Sequence, residues 1–148
     1  MTGISLKKTN RFSIKQINRN MKVILKKTMT KKFFFNSIKN LNDTAPIHTH
    51  DKWAKRLGFK KKIFPGLAVV SVFSKLIGMY LPGKNAVIMS INFSFKQPVY
   101  ENDKLTYICK VDKVIKSINV VLLKLIITKK NKEIIIGNSK CKILNSNV

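Results

Sequence analysis

The stretch from Lys60 to Gly83, "KKKIFPGLAVVSVFSKLIGMYLPG", decides how the chain is read. Pro65 and Gly66 are helix-opening residues and Pro82-Gly83 is a stop, so about four turns of helix lie between them. Apolar residues cover nearly the whole circumference of that helix, which predicts a rod wrapped by protein on most sides. The run from Leu67 to Leu81 is broken by Lys75 and two serines, too short and too interrupted for a membrane span.

A buried helix needs a covering layer, and the flanking sequence supplies strands. Upstream, "MKVILKKTM" at 21–29 reads as a strand, and Thr30 then caps a short helix, "KKFFFNSIKNL", with Phe34, Phe35, Ile38 and Leu41 on one face. A second short helix near 51–57 stops at Gly58. After Gly83 the character changes to β-rich runs: "AVIMSINFSF", "KLTYICKVDKVI", "INVVLLKLIITK" and "EIIIGNSKCKIL", with a hairpin at Asn131-Lys132 between the last two. One strand, short helices, one buried helix and about four antiparallel strands predict an α+β fold, with a long curved sheet around a central helix. At 148 residues and 45% hydrophobic content the chain is expected to form one domain over 21–148, with no internal repeat.

The formal charge of +24 first suggests nucleic acid, but only Arg11, Arg19 and Arg56 among the 30 basic residues are arginines. Reading bases and phosphates favours arginine's planar fork, and the lysines are scattered through every segment, so nucleic-acid binding ranks last. A strongly positive surface instead suits an anionic carrier, coenzyme A or an acidic carrier protein. Residues 1–42 contain no Asp or Glu. Residues 1–20 are read as a basic leader of poor order, with organelle import as the alternative. No apolar signal core precedes the domain, so a cytoplasmic location is expected, or a mitochondrial or other organelle matrix if the leader is a targeting segment. Cys109 and Cys141 have no metal-binding spacing and read as buried free thiols.

The least ordinary polar stretch is "NDTAPIHTHDKWAKRLGF", residues 42–59. On spacing alone Asp43 and His48 are either an acid/base pair or a turn cap and a packed histidine. Pro46 stiffens the loop between them. A helix opening at Gly66 presents unpaired backbone N–H groups, and without a side chain there a ligand carbonyl can approach closely. A plain Pro-Gly helix entry explains the same residues.

From Met21 to Leu105 the chain resembles the MaoC-like (R)-specific enoyl-CoA hydratase / 3-hydroxyacyl dehydratase family, which has the hot-dog fold. That family's motif runs Gly-Asp-x-Asn-Pro-x-His-x-Asp, then Gly-Phe, then an Ile-x-His-Gly-Met helix start; here the matching text is "NDTAPIHTHDKWAKRLGFKKKIFPGL". "LPGKNAVIMSINFSFKQPVYENDKL" resembles the family's later Leu-Pro-Gly…Phe…Pro-Val-x-x-Gly-Asp-x-Leu stretch. The resemblance implies reversible syn hydration of a trans-2-enoyl thioester to the (R)-3-hydroxyacyl product, with a thioesterase or a non-catalytic acyl-thioester binder as alternatives. It makes Asp43 and His48 the catalytic pair, Gly66 the oxyanion N–H and Ser74 a supporting group. It also implies an acyl chain running along the central helix, past Pro65, Leu67, Val70 and Phe73. No metal or other cofactor is implied, and a homodimer or higher oligomer is. Asn42, Ala45, His50, Pro65 and Asn102 depart from the motif, and His50 reads as an exposed loop residue.

Overall fold

The computed structural model describes residues 2–144. Among these, six strands form one sheet: β1 (Thr2–Gly3), β2 (Met21–Thr28), β3 (Ala86–Phe95), β4 (Lys104–Ile115), β5 (Val120–Lys129) and β6 (Lys132–Ile143). Their order is β1-β2-β4-β5-β6-β3. The five longer strands run antiparallel, and β1 adds in parallel outside β2. The inward face is set by alternation. On β4, Leu105, Tyr107, Cys109 and Val111 are buried in turn, and Leu123, Leu125 and Ile127 do the same on β5. Lys130 and Asn131 join β5 to β6 with φ of 49° and 64°, one residue earlier than the expected Asn131-Lys132 turn. Two central residues at positive φ match the twist of the flanking strands.

The helices are α1 (Lys31–Leu41), α2 (Pro46–Thr49), α3 (Asp51–Arg56), α4 (Gly66–Val70) and α5 (Val72–Lys75), with a π turn at Leu76–Tyr80. Thr30 caps α1 as its sequence predicts, accepting from the Phe33 N–H at 3.2 Å. The face it buries differs: Phe34 and Ser37 are inside, while Phe35 and Leu41 are exposed. Phe33 and Phe34 turn towards Phe64, with ring centroids 5.8 and 4.7 Å away, and this pairing sets the helix's rotation.

The central rod, α4 through the π turn, packs against the inner face of the sheet. It is interrupted at Ser71. There the Ser71 hydroxyl donates to the Ala68 carbonyl at 2.8 Å, and the buried Tyr107 hydroxyl to the Val69 carbonyl at 3.0 Å. Such bonds compete with the helical ladder and bend it. Val69, Phe73, Leu76 and Ile77 are fully buried, and the Phe73 ring lies 5.6 Å from Phe93 and 5.5 Å from Tyr107. Protein covers the rod on most sides, as the sequence predicts, and one side is left open. Leu67, Ser71, Ser74 and Lys75 form an open face, and Leu67 is 70% exposed.

Next to that face lies β3, a sheet edge along its free side. It carries no charged residue, although every other long strand carries lysines. Val87, Ile88, Met89, Ile91 and Phe95 on it are exposed. A long apolar edge is an element that proteins ordinarily cover.

Over the segment before β2, expected to be a poorly ordered leader, several apolar side chains pack on the domain. Ile17 is only 2% exposed, and Ile4, Leu6, Phe12 and Ile14 pack on the core. Asn10 spans the end of the rod: its N–H donates to the Met79 carbonyl at 2.8 Å and its Nδ2 to the Tyr80 carbonyl at 3.1 Å, while its own carbonyl accepts from Lys84 at 3.0 Å. Gly83, at φ 96°, is required there because a Cβ would collide with the Asn10 carbonyl. Residue 1 and residues 145–148, the outer ends of the expected leader and domain, lie outside the described residues. Cys109 and Cys141 are buried free thiols, and burial pushes both up from the ordinary thiol range. Among the described residues no helix is long and apolar enough to cross a membrane.

Candidate active site

The polar loop begins where α1 ends. Asn42 adopts a left-handed φ of 49°, and the N–H groups of Asn42 and Asp43 close back on the carbonyls of Lys39 and Ile38. This is a Schellman-type stop, which needs glycine or a residue such as asparagine. Asp43 Oδ1 accepts from the Ala45 N–H at 3.2 Å, leaving Oδ2 for other work. Pro46 then opens the single turn α2, which carries His48.

His48 is held from its other side. Asp51 Oδ1 accepts from the Lys62 N–H at 2.9 Å, and the Ile63 N–H donates to the Ile47 carbonyl at 3.2 Å. These bonds lay residues 62–64 alongside α2, so that the Ile63 carbonyl meets His48 Nδ1 at 2.8 Å. A carbonyl only accepts, so Nδ1 carries the proton and, in the neutral ring, Nε2 is an acceptor. Nε2 stands 3.6 Å from Asp43 Oδ2, with His48 13% and Asp43 36% exposed. Two acceptors thus face each other at a spacing that one water can bridge.

Gly66 completes the cluster. As the first residue of α4 its N–H has no acceptor within the helix. A Cβ at this position would lie 3.0 Å from the Phe95 ring, so only glycine fits under that ring without displacing it. Gly66 lines two hollows. One, of about 320 Å³, also holds His48, Phe59, Phe64, Phe95 and Val99; the other holds Asp43, Pro65 and Leu67. The dyad therefore flanks the glycine, one member on each side. Among the described residues no group of three or more His, Cys, Asp or Glu is placed to hold a metal ion.

The model of a family described as "MaoC like domain" matches residues 41–131, more than half of the chain and all of this cluster. The chain belongs to the MaoC-like domain family. An (R)-specific enoyl-CoA hydratase of Aeromonas caviae is 36% identical over 64 residues, which are 43% of this chain and 48% of that protein. A mitochondrial 3-hydroxyacyl-[acyl-carrier-protein] dehydratase of Solanum lycopersicum, FERN, is also 36% identical over 64 residues, 43% of this chain and 38% of that protein. The matched region thus spans less than half the length of either relative. A solved structure of the A. caviae (R)-hydratase involved in PHA biosynthesis superposes with a TM-score of 0.80 at 24% identity, covering 87% of this chain and 98% of that one. The R-hydratase PhaJ1 of Pseudomonas aeruginosa gives 0.82 at 18%, covering 92% of this chain and 88% of that one. The fold is the hot-dog fold, as the sequence resemblance implied.

Within this MaoC-like domain, Asp43, His48 and Gly66 come together, and Pro65 and Leu67 border the Asp43 hollow. Ser74 and Val70 lie elsewhere, in an apolar groove between the rod and β3. Phe73, expected on the acyl path, is placed in the core and lines none of these hollows. His50 is exposed and its Nδ1 lies 2.8 Å from the Thr49 hydroxyl, turned to its neighbour. Reading the sequence missed Phe95, Val99 and the Ile63 carbonyl. The first two sit in "NFSFKQPVY", a stretch that carried the resemblance without being assigned a role. The third is backbone, which no residue type announces.

Proposed function

We propose that this chain catalyses reversible hydration of trans-2-enoyl thioesters to (R)-3-hydroxyacyl thioesters. The observation that carries the reading is the His48 Nε2 to Asp43 Oδ2 spacing of 3.6 Å, with Nδ1 pinned by the Ile63 carbonyl, beside the Gly66 N–H. A water between the two acceptors donates one hydrogen to each and turns its lone pair to the β-carbon of the enoyl group. As the C–O bond forms, one water proton passes to the dyad and the dyad returns a proton to the α-carbon on the same face, a syn addition. Negative charge gathers meanwhile on the thioester oxygen, and the Gly66 N–H at the positive end of the rod stabilises it. The relatives' names, an enoyl-CoA hydratase and an acyl-carrier-protein dehydratase, support a thioester substrate on either carrier. The +24 charge favours both, since each carrier is anionic.

The working unit in this reading is a homodimer. Its basis is β3, an uncharged apolar edge beside the open face of the rod in a chain otherwise dense with lysines. A second copy laid along it would cover the edge and roof the groove.

The test is loss of conjugated-enoyl absorbance on mixing with trans-2-butenoyl-CoA, with free thiol followed in parallel. Asp43→Asn and His48→Ala are each expected to lower the rate at least about a hundredfold without unfolding the protein. Thiol release would instead mark a thioesterase. Inactivity on both coenzyme A and carrier-protein substrates would leave an acyl-thioester binder.

A further inference from the structure

We infer that Phe95 sets the acyl-chain length this site accepts, by closing the dyad hollow against the apolar groove and so restricting the substrate to short chains. The inference rests on the hydratase reading above and goes beyond it to the substrate's size. Ile91, Phe93 and Phe95 are alternate residues of β3 and share the face that looks towards the rod. Phe93 is fixed: its ring lies over Gly137, where a Cβ would collide with it, and stacks on Phe73 at 5.6 Å. Phe95 is held less tightly, 50% exposed, with a tilted contact to Phe93 at 6.5 Å. Its ring edge lies over Gly66 and borders both spaces at once, the hollow of about 320 Å³ with His48 and the groove of about 390 Å³ with Leu67, Val70 and Ile91.

The two spaces differ in what they offer a chain. The dyad hollow ends inward on buried Phe64, Val69, Val99 and Ile135, which close its depth and so bound the length of chain it can hold. The polar side chains at its rim, Lys96 and Gln97, suit the carrier arm and not a hydrocarbon tail. A longer tail finds an apolar continuation in the groove, and the ring of Phe95 stands at the junction. One methylene more or less in an apolar pocket alters kcat/KM by roughly 10- to 200-fold, so a single ring at that junction is enough to decide the range.

The experiment measures kcat/KM for trans-2-butenoyl-CoA and trans-2-decenoyl-CoA with the wild-type chain, Phe95→Leu and Phe95→Ala, with thermal unfolding of each. The wild type is expected to favour butenoyl strongly. The decenoyl-to-butenoyl ratio should rise at least tenfold in Phe95→Ala, with Phe95→Leu between. Because only the ratio is read, a general loss of rate in a variant does not decide the outcome, and Phe95→Leu suffices if the alanine variant fails to fold. A wild type equally efficient on both chains, or active variants with an unchanged ratio, would overturn the inference and leave the hydratase reading standing. No hydration of either chain by the wild type would overturn both.

Discussion

Asn42 shows how one backbone angle can set the position of a candidate active-site residue. Its φ of 49° ends α1 and turns the chain so that Asp43 faces His48. Asparagine tolerates this region through its short polar side chain, whereas alanine suffers a clash worth about 1–2 kcal/mol. Asn42→Ala should therefore lower unfolding stability by about 1 kcal/mol in urea titration, and Asn42→Gly should lie within a few tenths of wild type. A large loss in the glycine variant would show that the side chain, and not the angle, matters. The same geometry accounts for Asn102, at φ 71°, where the family motif also has glycine. Both departures were legible as letters. The angle each residue adopts was not, because φ belongs to the chain's path and leaves no separate trace in composition. Asp43 and His48 stood out only through the family resemblance, since on spacing alone they read equally as a turn cap and a packed histidine.

Among the elements, the strands from β4 to β6 were readable to within about two residues because buried and exposed side chains alternate along them. The rod was readable as a helix buried on most sides, but its one open face was not. Its open face is apolar at Leu67 yet looks onto space that one chain does not fill, and an apolar residue reads the same whether its cover is its own chain or another. The edge strand β3 raises the same question and gives the means to answer it. Ile91→Lys places a charge on the rod-facing side of that edge, away from Asp43 and His48. The expected result is a shift from dimer to monomer by light scattering, with the far-ultraviolet spectrum retained. A wild type already monomeric at micromolar concentration would remove the dimer from the proposed mechanism.

For the whole molecule, the segment before β2 lies along the domain through isolated apolar side chains. Extended segments that dock through isolated side chains, as Ile4, Leu6, Phe12, Ile14 and Ile17 do, carry no period to recognise, so a basic start without acids read as loose. Deleting residues 2–18 should cost at least about 3 kcal/mol in urea unfolding, given the burial of Ile17 and the partial burial of four other apolar side chains. An equally stable truncated chain would show that the segment is dispensable. Its placement also orders events at the ribosome. Asn10 emerges ahead of its partners at Met79, Tyr80 and Lys84, which follow about 70 residues later, roughly 4–14 s at ordinary synthesis rates. Through that interval the bonds at Asn10 cannot form, and the rod, once made, must still wait for β4 to β6 before its apolar side is covered. The bonds that fasten Asn10 are thus held back until the end of the rod exists, so the chain's order of synthesis sets the order in which this corner closes.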